Sequence, residues 1–330
     1  MRFRERAAGA RPPASKRLRA LPWSAELHDG LAQPVKAKWL AARARRLVAE
    51  IQPDLLHSLR LPIEGYVGSA TGFRPHLISA WGNDFTLYAD RFWLHGRAAR
   101  AAVDACDGFL ADAAADLERA ARYGLNRQPT AVLPGAGGVK RELFYAGPEP
   151  AEPLILNPRG FRRYVRNDTF WAACGMVARE HAEVRFVGVA MQGWSQIERM
   201  VQEAGIAPRT QLTAPLRQTE LSALYRRATI SVSPTEHDGT PNTLLEAMAS
   251  GCLPVCGDLA SVREWIRPGE NGLLCRVDRP EPLAEAMLRG LRDRELRERA
   301  RRENPVLVSE RADYRMSMQR AEEFYERICA

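Results

Sequence analysis

The sequence lacks any apolar run long enough to cross a membrane. No stretch of its 330 residues approaches the roughly 18 uninterrupted apolar residues that a spanning helix needs. The N-terminus is basic but has no apolar run of roughly 7–15 residues, so we expect no signal peptide. Only six cysteines are present, dispersed along the chain, as is typical of reduced thiols. These absences together predict a cytoplasmic protein.

Metal-ligating clusters are also scarce. Cys252 and Cys256 form a C-x3-C pair, but they flank an apolar run and no second Cys/His pair lies nearby. Buried small hydrophobic residues are the favoured interpretation of this pair. We therefore predict no metal site and no cofactor.

Lysine is rare, with four in the chain, and arginine supplies most of the +8 net charge. Residues 1–50 hold 12 basic and 4 acidic side chains, so the excess charge belongs to one end. Such a segment could contact an anionic membrane surface peripherally or form a poorly ordered leader. It lacks regularly interleaved aromatic residues, so we expect no nucleic-acid partner.

The length exceeds what one hydrophobic core usually supports, so two domains are expected. Short buried strands alternate with helices of about 10–15 residues, which indicates an α/β protein with doubly wound parallel sheets. Three prolines near residue 150 mark a linker. The predicted parts are a leader at 1–24, a first domain at 25–150, a second domain at 151–310 and a C-terminal helix at 311–330 that packs back on the first domain.

The most informative segment is 233–251, where a strand ends, a Gly/Pro turn follows and a helix begins near Asn242. The free N–H groups and the dipole at a helix N-terminus favour a bound anion such as a diphosphate. Asp238 lies before the helix and Glu246 about one turn inside it, so both could face hydroxyls of the same ligand. A capped surface helix with a solvated aspartate is the alternative interpretation of these residues.

This segment resembles the donor signature of family 4 glycosyltransferases, in which two acids are separated by seven residues. Asp238 and Glu246 have that spacing, with Asp in place of the usual first Glu. The resemblance implies a GT-B fold, retention, no metal requirement and a nucleotide-sugar donor. It further implies that Asp238 faces the donor sugar and that Glu246 binds ribose hydroxyls. The donor-binding candidates of this segment are Gly239, Thr240, Pro241, Asn242 and Thr243.

Upstream residues resemble the family's diphosphate-binding groups. Arg159 matches the arginine that ends the first strand of the second domain, and Arg166 stands in place of a lysine. Both are assigned by resemblance to the catalytic set, with Asp238 and Glu246. Gly188 is similar to a glycine near the donor. A solvated basic turn is the alternative interpretation of the arginines around 159–166.

The first half resembles the family less. Residues 79–84 are similar to an acceptor-side strand end, which makes Trp81, Asn83 and Asp84 the acceptor-side candidates. Trp81 stands near the position of a histidine that contacts the donor sugar in many relatives. No hydrophobic strand with a glycine-rich loop is seen before residue 37, so the first domain is expected to lack this opening unit.

The leading interpretation is a glycosyltransferase acting on an unidentified acceptor, whether a glycan, a lipid or a small molecule. A GT-B sugar-nucleotide epimerase would share the fold, but no convincing pair of first-domain acid and base residues is found. An inactive or truncated homologue that binds nucleotide sugar is the non-enzymatic alternative. Binding, transfer and epimerisation assays separate these three hypotheses.

Overall fold

The computed structural model describes residues 33–135 and 137–330. The predicted leader at 1–24 lies outside the described residues. The expectation that an opening strand and a glycine-rich loop are missing concerns residues before 37 and falls mostly outside them as well. The described chain forms two α/β domains, each built on a parallel sheet.

The first domain has a four-stranded parallel sheet whose strands lie in chain order, β1-β2-β3-β4. Register pairs Leu77 with Gly108 between β2 and β3. The apolar side chains of β2 and β3 are buried, as their short uninterrupted apolar runs predict. The strands are β1 Leu56–Ser58, β2 His76–Ala80, β3 Gly108–Ala111 and β4 Thr130–Val132.

Helices cover this sheet and supply its core. α1 presents Ala37 and Ala41 to the core, and α3 presents Ala99 and Val103. Small side chains at helical spacing let the helices approach one another closely. The helices are α1 Gln33–Ile51, α2 Tyr66–Thr71, α3 Trp93–Ala105 and α4 Ala114–Arg122, with π-helical turns at Leu61–Gly65 and Phe85–Ala89.

The second domain has a six-stranded parallel sheet of order β10-β9-β8-β5-β6-β7. The chain winds outward from β5 in one direction and then returns to build β8 to β10 on the other side. The strand order therefore reverses between β5 and β8, which is a topological switch point. The strands are β5 Leu154–Asn157, β6 Arg185–Gly188, β7 Thr210–Leu212, β8 Ile230–Ser233, β9 Leu253–Gly257 and β10 Leu273–Cys275.

Helices on both faces bury this second sheet. Phe170 and Trp171 of α5 pack into one core layer, and Leu244 and Leu245 of α8 pack into the other. Two parallel sheets covered by helices confirm the predicted doubly wound α/β class. The helices are α5 Asn167–Glu180, α6 Ser195–Glu203, α7 Gln218–Arg227, α8 Asn242–Ala249, α9 Ala260–Arg263, α10 Pro280–Arg292 and α11 Arg294–Arg311, with a 3-10 turn at Ala207–Arg209.

The chain crosses between the domains twice, and the two crossings are hydrogen-bonded to each other. The Val139 N–H donates to the carbonyl of Ala312 over 2.7 Å, and the Tyr314 N–H donates to the carbonyl of Val139 over 3.0 Å. The last helix, α12 Tyr314–Cys329, then returns to the first domain. There Phe324 is buried against Leu77 and Leu110 of the first sheet.

Three elements have no counterpart in the sequence prediction: β10, α10 and α11. β10 is only three residues long, too short to show a period. α11 contains Pro305 in its interior, a residue that normally ends a helix because it lacks an N–H. For these reasons β10 gives no clear strand signal and α11 gives no clear helix signal in the sequence.

Candidate functional site

Two strand ends of the second sheet meet where its order reverses. β5 ends at Asn157 and β8 ends at Ser233, and these two strands are neighbours in the sheet. In open α/β sheets ligands bind in the crevice outside the carboxyl ends of the strands at this point. The loops that follow, 158–166 and 234–241, carry most of the residues that the sequence singles out.

Arg159 links the two loops. Its Nη2 donates to Oδ2 of Asp238 over 2.5 Å, and its Nη1 donates to Oγ1 of Thr243 over 3.0 Å. The strand end is fixed by Asn157, whose Oδ1 accepts the Arg159 N–H over 3.0 Å. Burial raises the pKa of the Asp238 carboxyl above its usual range, although the Arg159 charge opposes that shift. The structure therefore holds a buried cation beside an acid at the switch point.

Glu246 lies one turn beyond Thr243, on the same face of α8. Burial raises its pKa to about 7, with the Tyr225 hydroxyl and the Arg159 charge acting in the opposite direction. The Tyr225 hydroxyl is 3.1 Å from the Thr243 carbonyl and 3.4 Å from Oε2 of Glu246. Tyr225 thus joins the start of α8 to this carboxylate. Nothing in the sequence distinguishes it from other buried helical tyrosines.

α8 starts at Asn242, and its first N–H groups have no partner within the helix. They lie beside Arg159, because Thr243 accepts the hydrogen bond from that guanidinium. Thr240 is buried, with its hydroxyl 3.3 Å from Nε1 of Trp265, and Pro241 is buried at the N-cap position. Asn242 is exposed. A helix N-terminus and an arginine therefore direct positive potential to the same place.

Two other predicted residues lie in surroundings that the sequence does not reveal. Arg166 is held by two acids: its Nη2 is 2.8 Å from Oδ2 of Asp168, and its Nη1 is 2.8 Å from Oε1 of Glu236. Gly188 ends β6 against the core, where an added Cβ would lie 2.7 Å from Sδ of Met191. Packing alone thus accounts for this glycine. Arg162 lies close enough to Asp238 to lower the pKa of that carboxyl.

The first domain closes on the same loop through its backbone. A Cβ added to Gly82 would lie 2.0 Å from the backbone nitrogen of Gly239, so only hydrogen fits there. On the other side of Gly239 lies Asp112, whose Oδ1 would be 2.1 Å from a Cβ at that position. Burial, followed by the neighbouring Asp116 carboxyl, raises the pKa of Asp112 well above its usual value. The two domains therefore meet backbone to backbone at Gly82 and Gly239, and the Asp112 side chain lies against the other side of Gly239.

The three acceptor-side candidates occupy different environments. Trp81 is half-exposed, and its ring lies 5.2 Å from the guanidinium carbon of Arg60. Asn83 accepts a bond from Arg60 over 2.8 Å. Asp84 is fully buried, ion-paired with Arg60, and its Oδ2 accepts the Leu61 and Trp81 N–H groups at 3.1 Å each. These bonds assign Asp84 to holding the loop, with Arg60 as the partner that sequence reasoning missed.

Within residues 33–135 and 137–330, no group of three or more His, Cys, Asp or Glu side chains is arranged to hold a metal ion. The six cysteines are free, and Cys252 and Cys256 are both buried. None of the helices in that same part of the chain is long and apolar enough to span a membrane.

Comparisons with known proteins find sequence similarity in the second domain. Residues 158–293 match the family model described as "Glycosyl transferases group 1". A curated relative, a GDP-mannose-dependent alpha-mannosyltransferase from Mycolicibacterium smegmatis, is 36% identical over 73 residues. That match spans 22% of this chain and 20% of the relative. The family model therefore covers most of the second domain, from the residue after β5 to the end of α10.

Solved structures resemble most of the chain, including both domains. Sucrose-phosphate synthase from Thermosynechococcus elongatus superposes with a TM-score of 0.76 at 18% identity, covering 87% of this chain and 77% of that one. Anabaena HepE, solved with UDP-glucose, gives a TM-score of 0.72 at 16% identity, covering 87% and 82%. At these identities the likeness concerns the fold alone. The fold is GT-B, two Rossmann-like domains facing a cleft, as the sequence resemblance implied.

Proposed function

We propose that this protein is a glycosyltransferase that transfers a sugar, with retention, from a nucleotide-diphosphate sugar to an acceptor hydroxyl. The observation that carries the proposal is the cluster at the switch point, where Arg159, Asp238, Thr243 and Glu246 surround the start of α8. The family match over residues 158–293 and the GT-B fold support the same assignment.

Each group of the cluster has a role in the proposed reaction. The bond from the anomeric carbon to the diphosphate oxygen breaks, and the acceptor oxygen forms the new bond while its proton passes to the departing diphosphate. Arg159 and the α8 N–H groups stabilise the charge that develops on the diphosphate. Arg166 is proposed to assist once the donor diphosphate competes with Asp168 and Glu236 for its guanidinium. Glu246 binds ribose hydroxyls, and Asp238 faces the sugar.

A cationic side chain and a helix end together supply the neutralisation that a metal ion provides elsewhere. We therefore propose metal-independent transfer that continues in the presence of EDTA. The six free cysteines suit a reducing compartment, and the proposed location is the cytoplasm, with peripheral membrane contact through the basic N-terminus.

Donor binding is tested by thermal shift with UDP-glucose, GDP-mannose and related nucleotide sugars, because ligand binding raises the melting temperature. Glu246→Gln should reduce kcat/KM for the stabilising donor by about 10- to 100-fold, since a charge-assisted hydrogen bond is lost. Glu285→Gln, on the exposed face of α10, is the matched control and should keep wild-type kinetics.

Three outcomes discriminate among the hypotheses. Transfer of the sugar to an acceptor supports the proposal, and an NMR spectrum of the product reports whether the anomeric configuration is retained. Epimerised donor without transfer would indicate the epimerase. Stabilisation without turnover would indicate a binding protein, and wild-type turnover in Glu246→Gln would refute the assigned site.

A further inference from the structure

The two arginines assigned to the donor diphosphate already have acidic partners in the structure. Arg159 is paired with Asp238, and Arg166 is paired with Asp168 and with Glu236 at 2.8 Å each. Two cations therefore face three acids before a donor arrives. The dipole at the start of α8 contributes roughly half a unit of positive charge, which does not reverse this balance. Because a diphosphate is an anion, the proposed donor site requires a further cation to attract it.

Arg166 has little capacity left for a ligand. Its Nε and Nη2 donate to the two carboxylate oxygens of Asp168 over 3.0 and 2.8 Å, and its Nη1 donates to Oε1 of Glu236 over 2.8 Å. Nη2 also donates to the carbonyl of Asp278 over 3.3 Å. All three nitrogens of the guanidinium are thus engaged. A donor must displace one of the two acids before Arg166 binds it.

Arg162 lies on the same loop, between the two assigned arginines. Its side chain is exposed, and its Nη1 donates over 3.0 Å to the hydroxyl of Tyr164, which is a neutral group. Within residues 33–135 and 137–330, no acid forms an ion pair with it. Tyr164 lines the cavity between the domains, and the Arg162 charge lowers the pKa of the Asp238 carboxyl. An uncompensated cation therefore lies beside the candidate donor site, at the cleft.

The loop that carries Arg162 is anchored on both sides of it. On one side, the ring of Phe161 packs against that of Trp194 with the centroids 5.0 Å apart. On the other side, the Arg166 N–H donates to the carbonyl of Pro234 over 2.8 Å, which joins the loop to the segment after β8. A backbone fixed in this way presents Arg162 to a ligand without first having to be ordered.

We infer that Arg162 is a further donor-binding residue, whose guanidinium attracts the donor diphosphate and binds it before Arg166 is released from its acids. This inference rests on the proposed function. The planar fork of a guanidinium binds two phosphate oxygens at once, and an exposed cation also accelerates the encounter with an anionic ligand. The sequence resemblance assigned Arg159 and Arg166 to the diphosphate, and the charge balance adds Arg162 to them.

The test is isothermal titration calorimetry on the full chain with UDP-glucose, GDP-mannose and inorganic pyrophosphate. Arg162→Gln should weaken the binding of pyrophosphate and of the preferred nucleotide sugar by about ten-fold, because a charge-assisted hydrogen bond is lost. Arg162→Lys keeps the charge without the fork and should recover part of the affinity. Salt screens exposed charges, so the loss in Arg162→Gln should shrink between about 50 and 500 mM NaCl.

Arg199→Gln is the matched control. Arg199 is an exposed arginine of α6 in the same domain, and it lies outside both loops of the candidate donor site. The control should keep the wild-type affinity and its salt dependence. The Arg162 variants should keep the wild-type melting temperature, because the replaced side chain is exposed.

Pyrophosphate separates this inference from the proposed function. Wild-type affinity for both kinds of probe in Arg162→Gln would overturn the inference and leave Arg162 in a solvated turn. A loss that is independent of salt and is not recovered by lysine would also overturn it, since the side chain would then act through packing. A protein that binds pyrophosphate through Arg162 but binds no nucleotide sugar would refute the proposed function alone. A wild type that binds neither probe would refute both.

Discussion

Arg159 shows how single residues prepare the candidate donor site before any ligand binds. Asp238 and Thr243 each accept one hydrogen bond from its guanidinium, which orients the planar fork. A side chain fixed in this way loses little conformational entropy when it contacts a diphosphate. The shorter Asp at position 238 reaches Arg159 directly, so its carboxylate has a structural partner in addition to the proposed contact with the donor sugar.

The raised pKa of Glu246 predicts a pH dependence of donor binding. In the proposed role of Glu246, its ionised carboxylate accepts hydrogen bonds from ribose hydroxyls, and a group of pKa about 7 is mostly protonated one unit lower. Donor affinity should therefore fall about ten-fold between about pH 8 and pH 6. Calorimetry across this range measures the fall. Glu246→Gln should bind more weakly and show no such dependence, and a wild-type affinity that stays flat with pH would contradict the role.

Raising the pH affects the stability contribution of Glu246 in the opposite direction to its effect on donor binding. Because burial raises the pKa of Glu246 from 4.5 in the unfolded chain to about 7, the folded state binds the extra proton. The contribution of Glu246 to stability is therefore present below pH 4.5 and is lost as the pH rises to about 7.

At the scale of elements, the two domains are joined by a helix cap. Glu264, after α9 of the second domain, accepts the Ala114 and Ala115 N–H groups at the start of α4 over 3.0 and 2.9 Å. Its negative charge also complements the positive end of the α4 dipole. The acid that caps this first-domain helix thus comes from about 150 residues later in the chain.

Removing this cap should weaken α4. Glu264→Ala leaves two backbone donors unsatisfied, and we expect a loss of about 1 kcal/mol in the free energy of unfolding. Amide hydrogen exchange should accelerate at the first turn of α4. Glu285→Ala, on an exposed position of α10, should change neither quantity. Unchanged exchange at Ala114 and Ala115 in Glu264→Ala would show that the contact does not persist in solution.

At the scale of the whole molecule, the C-terminal helix belongs in space to the first domain. α12 buries Phe324 against the β2 and β3 side chains Leu77 and Leu110. The hydroxyl of Tyr325 lies 2.9 Å from Nδ1 of His57. The side chain of Ile328 packs where an added Cβ at Gly108 would be only 2.6 Å away. The C-terminal helix α12 thus completes the hydrophobic core of the first domain.

A core mutation in α12 should therefore destabilise the first domain. Phe324→Ala is expected to cost about 3 kcal/mol, the transfer and cavity cost of truncating a buried aromatic residue. Urea unfolding measures the loss, and hydrogen exchange should rise in β2 and β3 while the second sheet keeps its protection. Glu322→Ala on the exposed face of α12 is the control. An exchange increase confined to the second sheet would contradict this packing.

The sequence by itself determined the fold class and, through the family resemblance, the residues of the candidate donor site. Alternating apolar runs and helical periods predict doubly wound parallel sheets, because strands buried on both faces must be apolar throughout. Asp238 and Glu246 could be found because both lie in one contiguous segment at a strand end and a helix start. Arg159 could be found by resemblance, because it matches the arginine that ends the first strand of the second domain in the family.

Only the tertiary structure decided which side chains meet across long stretches of chain. The pairing of Arg60 with Asp84, the bonds from Tyr225 to α8, and the two acids on Arg166 depend on distances between separate loops. The cavity between the domains that Arg91 and Arg163 line likewise joins residues about 70 positions apart in the chain. Periodicity records which face of its own element a residue occupies, but it holds no information on what packs against that face. Which surfaces pack together is decided by the contacts between the two domains, including that of Gly82 with Gly239, and by the packing of α12 on the first sheet.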